Sequence, residues 1–196
     1  MLTDGYLDLP PGKIASVVTS LEMTAPAMPS PEPALVHWQL RHEPRPDVQW
    51  YRELFHRVGA EWLWFSRLRM PVSELAAVIH DPAVSVYAVS SNGRDEGLLE
   101  LDFRAAGTCE LAFFGLTAAL RGSGAGRWLI NRAVELAWAR PIDRLWVHTC
   151  TLDHPAALGF YRKAGFVPVR RQIEVADDPR RLGLLAADVA PQIPLL

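Results

Sequence analysis

Hydrophobic and polar positions recur along this chain at spacings that set out its elements before any other property is considered. Lys13–Met23 holds Ile14, Val17, Val18 and Leu21, a pattern that predicts a strand. Ala25–Pro33 then places four prolines in nine residues, which excludes a helix or central strand and reads as a loop. Val36–Arg41 predicts a second strand. Asp47 stands where an N-cap belongs, before a helix carrying Trp50, Tyr51, Leu54 and Phe55. Gly59 would end that helix, and Trp62, Leu63, Trp64 and Phe65 suggest a second, aromatic helical segment. Val72, Leu75, Ala76 and Ile79 fall at i, i+3, i+4 and i+7, predicting a helix within Pro71–Asp81.

The period then changes. Val84–Ser90 is β-branched and aromatic, Asn92-Gly93 is a strong hairpin signal, and Gly97–Phe103 reads as the returning strand. Ala105–Thr108 is a further turn, and Cys109–Leu116 a third strand of the same meander. Helical spacing resumes from Arg127 to Arg140, with Trp128, Leu129, Ala133, Leu136 and Ala137 on one face and Pro141 beyond it. Arg144–Cys150 reads as a buried strand. Ala157, Phe160, Tyr161 and Ala164 form a short amphipathic helix capped by Gly165, and Phe166–Val175 closes as a strand. A right-handed crossover would set Arg144–Cys150 parallel to Cys109–Leu116. The expected architecture is α+β around one mixed, mostly antiparallel sheet. The tail from Asp177 has an apolar end, Ile193–Leu196, that would dock on the core or on a partner chain and so make a homodimer.

Composition narrows the setting. At 196 residues the chain can bury one sizeable core, and it is read as a single domain over 1–196, with 1–33 as strand and proline-rich loop. A formal net charge of −2 gives no electrostatic reason to expect nucleic acid or an anionic membrane as partner. No apolar run approaches the roughly 20 residues of a membrane helix. Met1–Pro11 carries Asp4 and Asp8 without a basic or apolar leader pattern, and two cysteines cannot build a disulfide framework. These features point to a cytoplasmic protein. Cys109, His148 and Cys150 offer no metal-ligand spacing, so no metal is expected. Cys150 is read as a buried structural cysteine rather than a nucleophile, and His148 as hydrogen-bonding in the core. Trp38, Trp50, Trp62 and Trp64 are read as packing the early helices on the sheet, with one or two free to line a pocket.

The chemistry is concentrated in Leu120-Arg121-Gly122-Ser123-Gly124-Ala125-Gly126-Arg127, between a predicted strand and a predicted helix. Three glycines in five residues allow close approach to the backbone, and the helix that follows aims unpaired N–H groups into the loop. That is an anion site of the kind that holds phosphate or pyrophosphate. The dinucleotide fingerprint fails because Arg127 replaces its last glycine, and the P-loop fails for want of a lysine. The remaining pattern, Arg/Gln-x-x-Gly-x-Gly/Ala, is met by Arg121, Gly124 and Gly126.

With that loop, the stretch from His154 to Phe166 resembles the GCN5-related N-acetyltransferase superfamily. Ala157, Tyr161, Gly165 and Phe166 match its Asn-x-x-Ala-x-x-x-Tyr-x-x-x-Gly-Phe pattern, with His154 standing for the asparagine. The resemblance covers Val84–Val175, the half expected to carry the cofactor. It implies a sheet splayed between the strands ending near Leu116 and Cys150. The pantetheine arm of acetyl-CoA would lie in that gap along Phe114–Leu116, and its pyrophosphate on Arg121 and the N–H groups of Gly122, Ser123, Gly124, Ala125, Gly126 and Arg127. His154 would take the asparagine's place beside the cofactor.

The implied activity is transfer of an acetyl group to an amine, small-molecule or peptide, by direct attack. Glu110 is the candidate base. It opens an otherwise apolar strand, where desolvation raises a carboxyl's pKa, at the interval before the loop seen in the superfamily's histone acetyltransferases. A solvent-facing glutamate at a strand end is the other reading. Tyr161 is the candidate acid, or else a packing residue beside Phe160. His148 could also assist a bound acceptor. The alternative to an enzyme is a non-catalytic acyl-CoA-binding or regulatory module on the same fold.

Overall fold

The hairpin Asn92-Gly93 joins Val84–Ser91 (β3) to Arg94–Asp102 (β4), its two residues at φ of 51° and 76°. Positive φ at both positions matches the twist of the flanking strands, which explains this dipeptide here. The structure, a computed structural model, describes residues 4–34 and 37–196. Its other elements are Lys13–Met23 (β1), Gln39–Glu43 (β2), Val48–Gly59 (α1), Ser66–Arg69 (α2), Val72–Ile79 (α3), Thr108–Leu116 (β5), Ala125–Trp138 (α4), Arg144–Cys150 (β6), Ala157–Lys163 (α5) and Val167–Asp177 (β7). Short 3₁₀ turns lie at Ala60–Trp62 and Ala118–Leu120.

The seven strands form one sheet in the order β2-β3-β4-β5-β6-β1-β7. Neighbours are antiparallel except β5 and β6, which are parallel as the crossover rule requires. The first strand in sequence is thus second from the edge: β1 pairs β6 through Leu21 opposite Val147, and β7 through Val17 opposite Ile173.

Helices cover both faces. Tyr51, Leu54, Phe55 and Val58 of α1, with Leu75 and Ile79 of α3, pack on Val84, Val86, Ala88 and Leu98. Asp47 caps α1 by accepting from the Trp50 N–H at 2.9 Å. On the other face Trp128, Leu129, Ile130, Ala133 and Ala137 of α4 pack on Leu99, Leu101, Leu111, Leu145, Val147 and Leu21. Each fully buried side chain of this size contributes about 1.5–3 kcal/mol. Beneath α1 the buried Glu100 carboxylate accepts from both the Tyr51 hydroxyl and the Arg67 guanidinium. Burial, then the Glu100 charge, holds the Tyr51 phenol well above its usual range.

Two predictions are corrected. The aromatic run Trp62–Phe65 is not a helix: the 3₁₀ turn ends at Leu63 in the left-handed region (φ 54°), and Trp64 and Phe65 precede α2. Side chains compete here: Leu63 enters a cluster with Ile14 and Leu185, whereas Trp64 faces the sheet. The second strand begins at Gln39, so His37 and Trp38 precede it, while Val36 lies outside the described residues; Trp38 packs instead on Trp128, ring centroids 5.9 Å apart. In the tail, the buried Arg180 pairs with Asp178 at 2.7 Å and donates to the carbonyls of Val189 and Ile193. That stitch seats Leu185, Ala190 and Ile193 against Ile14 and Leu63, while Leu196 stays exposed.

Candidate active site

The sheet opens where its parallel pair ends. β5 and β6 pair only through Thr108–Arg144, Cys109–Leu145 and Glu110–Trp146. Beyond Glu110 both strands continue, to Leu116 and Cys150, without pairing to each other. A β-bulge at this point, where the β4–β5 register shifts between Glu100 and Leu101, leaves Ala112 as the extra residue and bends β5. The resulting cleft of about 490 Å³ is floored by Leu111–Leu116 and Val147–Cys150. Trp62, Trp64 and Phe65, together with Arg121, Gly122, Gly126, Ala157, Phe160 and Tyr161, wall it.

The glycine loop closes one end. Gly122 and Gly124 have φ of 76° and 95°, so the chain reverses into α4 without side-chain strain. The Ser123 hydroxyl donates to the Leu120 carbonyl at 2.7 Å and accepts from the Ala125 N–H at 3.2 Å. The Gly124 carbonyl accepts from Arg127 and Trp128, the first bonds of α4. The N–H groups of Gly122, Gly124 and Gly126 have no acceptor among the described residues. Three unpaired donors at the start of a 14-residue helix are groups that could hold an anion. Arg121 pairs with Glu61 at 2.7 Å and lies 5.6 Å over the Trp62 ring, tying the loop to the turn after α1. Pro33 lies so close that a Cβ on Gly124 would meet its Cγ at 2.6 Å.

Of the residues singled out from sequence, Phe114, Leu116, Arg121, Gly122, Gly126, His154 and Tyr161 line the cleft. Ser123, Gly124, Ala125 and Arg127 form the loop's frame behind it. Glu110 stands at the vertex of the splay, but its side chain faces a smaller depression with Asp102, Arg104, Thr108 and Trp146. The Glu110 carboxylate, 27% exposed, comes within 3.8 Å of His148 Nε2. Burial raises its pKa from 4.5 to about 7, helped by the charges of Asp102 and Glu100 and opposed by Arg67 and Arg104. His148 lines the main cleft with its side chain 48% exposed, so the reading of it as a core residue is wrong. The splay strips the strand face that a flat sheet would have covered.

Tyr161 is buried against Phe114, Phe160 and Phe166, with ring centroids 5.5–6.1 Å away. Burial, then the Asp153 charge, pushes its phenol above the ordinary value, so it remains protonated. His154 accepts from the Ala156 N–H through Nδ1 at 3.1 Å, and its ring meets Trp62 edge-on at 5.2 Å. Asp153 was not legible as a site residue. One of its oxygens accepts from Thr149 Oγ1 and the Cys150 N–H at 2.8 Å, the other from Trp64 Nε1 at 3.1 Å. It therefore fastens the end of β6 to the aromatic wall. Burial pushes the Cys109 thiol up to about 12 and raises Cys150, so neither is a ready thiolate. Among the described residues no group of three or more His, Cys, Asp or Glu could hold a metal, and no helix is long and apolar enough to cross a membrane.

The free donors, the unpaired β5 edge and the open cleft could hold an extended, phosphorylated molecule. Known proteins agree on the framework. The acetyltransferase (GNAT) family model matches residues 34–166. A GCN5-related N-acetyltransferase from Sphaerobacter thermophilus superposes with a TM-score of 0.62 at 16% identity, over 83% of this chain and 52% of that one. This chain therefore spans about half that protein's length. A putative GNAT-family acetyltransferase from Novosphingobium aromaticivorans gives 0.57 at 17% identity, over 86% and 68%. An aminoglycoside acetyltransferase from an uncultured soil metagenomic sample gives 0.54 at 13%, over 66% and 88%. No curated protein matches. The splayed sheet, the glycine loop and the family match over most of the chain agree: this protein belongs to the acetyltransferase (GNAT) family.

Proposed function

We propose that the protein is an acetyl-CoA-dependent N-acetyltransferase acting on a primary amine by direct attack. The observation that carries this reading is the splay of β5 and β6: its cleft runs along the unpaired edge of β5 to the free N–H groups of Gly122 and Gly126, and Glu110, its pKa raised to about 7, stands at the vertex. Gly122, Gly124 and Gly126 would hold the pyrophosphate, and the unpaired edge of β5 at Phe114–Leu116 the pantetheine arm. Acetyl-CoA supplies an activated acyl group whose C–S bond breaks as the new C–N bond forms, leaving a thiolate.

The chain's own work is proton handling. An alkylammonium has a pKa of about 10.4, so the amine must lose a proton to react. A base at about 7 narrows that gap by more than two units relative to an ordinary glutamate at 4.5, each unit being about 1.36 kcal/mol. His148 lines the cleft and comes within 3.8 Å of Glu110, a gap that one water or a small side-chain turn would close to complete the proton's path. Tyr161, kept protonated by burial, donates to the departing thiolate.

Two measurements test the reading. Acetyl-CoA at about 100 times its Kd adds roughly 2.7 kcal/mol of stability if it binds the folded chain, and an unchanged melting temperature rejects the donor. Thiol release with a panel of amines is expected for the enzyme. Acetyl-CoA binding without release from any amine would instead leave a non-catalytic acyl-CoA module.

A further inference from the structure

The walls of the cleft carry information about the acceptor. The end beside the glycine loop is taken up by Arg121, Gly122 and Gly126, which leaves the acceptor the side of Trp64, Phe65, Phe113 and His148. These aromatic residues come from two unrelated segments. Trp64 and Phe65 lie between the 3₁₀ turn and α2, and Phe113 follows the bulge in β5. Trp64 and Phe113 touch, ring centroids 5.3 Å apart, and Asp153 fixes the indole by accepting from Nε1. The wall is therefore held from two sides, by Phe113 and by Asp153, although Trp64 and Phe65 themselves sit in the irregular segment before α2.

The charged residues lining the cleft are few and mostly committed. Arg121 is paired with Glu61, and Asp153 accepts three hydrogen bonds. Glu174 of β7 is the charged lining residue without a polar partner among the described residues. A polycation would need several uncommitted carboxylates, and an acidic acceptor would need a free cation. One carboxylate and a set of aromatic faces instead suit a single ammonium on an apolar body, held by burial and cation–π attraction.

Resting on the acetyltransferase reading above, we propose that the acceptor is a monoamine carried on an aromatic or branched apolar group, bound against Trp64, Phe65 and Phe113. The similarity to an aminoglycoside acetyltransferase is one of fold.

Thiol release from acetyl-CoA is compared for 2-phenylethylamine and tryptamine against spermidine, kanamycin and glutamate. The apolar monoamines are expected to lead in kcat/KM by at least about tenfold. Phe65→Ala should raise KM for 2-phenylethylamine about tenfold with kcat nearly kept, and Phe65→Leu should recover most of the loss. Tryptophan fluorescence gives a readout independent of turnover: 2-phenylethylamine should produce a saturable change that Trp64→Phe removes. Preference for spermidine, kanamycin or glutamate overturns the proposal, as does an equal effect of Phe65→Ala on every amine. Absence of release from both apolar monoamines also overturns it. The melting shift with acetyl-CoA, together with release from the other amines, then shows whether the acetyltransferase reading falls too.

Discussion

Glu100 and Glu110 stand on neighbouring strands and on the same face of the sheet, yet the regions around them have opposite characters. Under α1, Glu100 is fully buried and satisfied by the Tyr51 hydroxyl and the Arg67 guanidinium. At the vertex, Glu110 is half-buried, has His148 at 3.8 Å as its nearest basic partner, and has its pKa raised to about 7. The lesson is that burial alone does not make a base. Burial with a full set of partners gives a structural ion pair, whereas burial without one leaves a carboxyl ready to exchange a proton near neutral pH.

The largest way to break this comparison is Glu110→Gln. It should lower kcat/KM by about 10²–10⁴ in a thiol-release assay without lowering the melting temperature. The linkage sign gives a second readout. Burial raises Glu110 above its unfolded 4.5, so its contribution to stability is complete below that pH and is lost as pH rises through about 7. Unfolding by urea should therefore show Glu110→Gln more stable than the parent above pH 7 and the difference closing toward pH 4.5. A destabilised variant with intact turnover would put the two glutamates in one class.

Glu100→Ala tests the other side. It leaves the Arg67 charge buried without its partner, which should cost about 3–5 kcal/mol of stability in denaturant unfolding. Tyr161→Phe removes the donor to the thiolate. A thiolate leaves without much help because its conjugate acid has a pKa of about 8.5, so kcat should fall only about tenfold. The smallest effect sharpens the cause of the Glu110 shift. Asp102→Asn removes the neighbouring charge and should move the acid limb of kcat/KM below its parent position by a fraction of a pH unit, measured as a pH–rate profile. A limb that stays in place would remove Asp102 from the causes of the shift, leaving burial and the Glu100 charge.

Much of the framework was legible because it is local. The strand Arg144–Cys150 was read with its observed bounds, and the hairpin at Asn92-Gly93 and the Asp47 cap followed from single residues with one main use. The loop at Arg121–Arg127 was legible as a reversal into a helix, because glycine spacing and the following apolar period define it. Three features were not. Trp62–Phe65 has helical spacing, but the cleft and a neighbouring cluster claim its side chains in different directions. His148 alternates like a core residue, yet the sheet is open on its side. The Glu61–Arg121 and Asp153–Trp64 contacts join segments separated by 60 and 89 residues, and no local pattern records such pairs.

The sequence by itself determined the order of elements, the parallel crossover, the glycine loop and the family resemblance that points to acyl transfer. Each of these depends on near neighbours, whose backbone preferences and apolar period act over a few residues. Tertiary structure alone decided that β1 lies between β6 and β7, that pairing of β5 and β6 stops at Glu110, and that His148 lines the cleft within 3.8 Å of Glu110. It also decided which of two glutamates is satisfied and which is poised. Those outcomes follow from distant segments competing for the same sheet edges and the same buried partners, and that competition is settled only when the chain is folded.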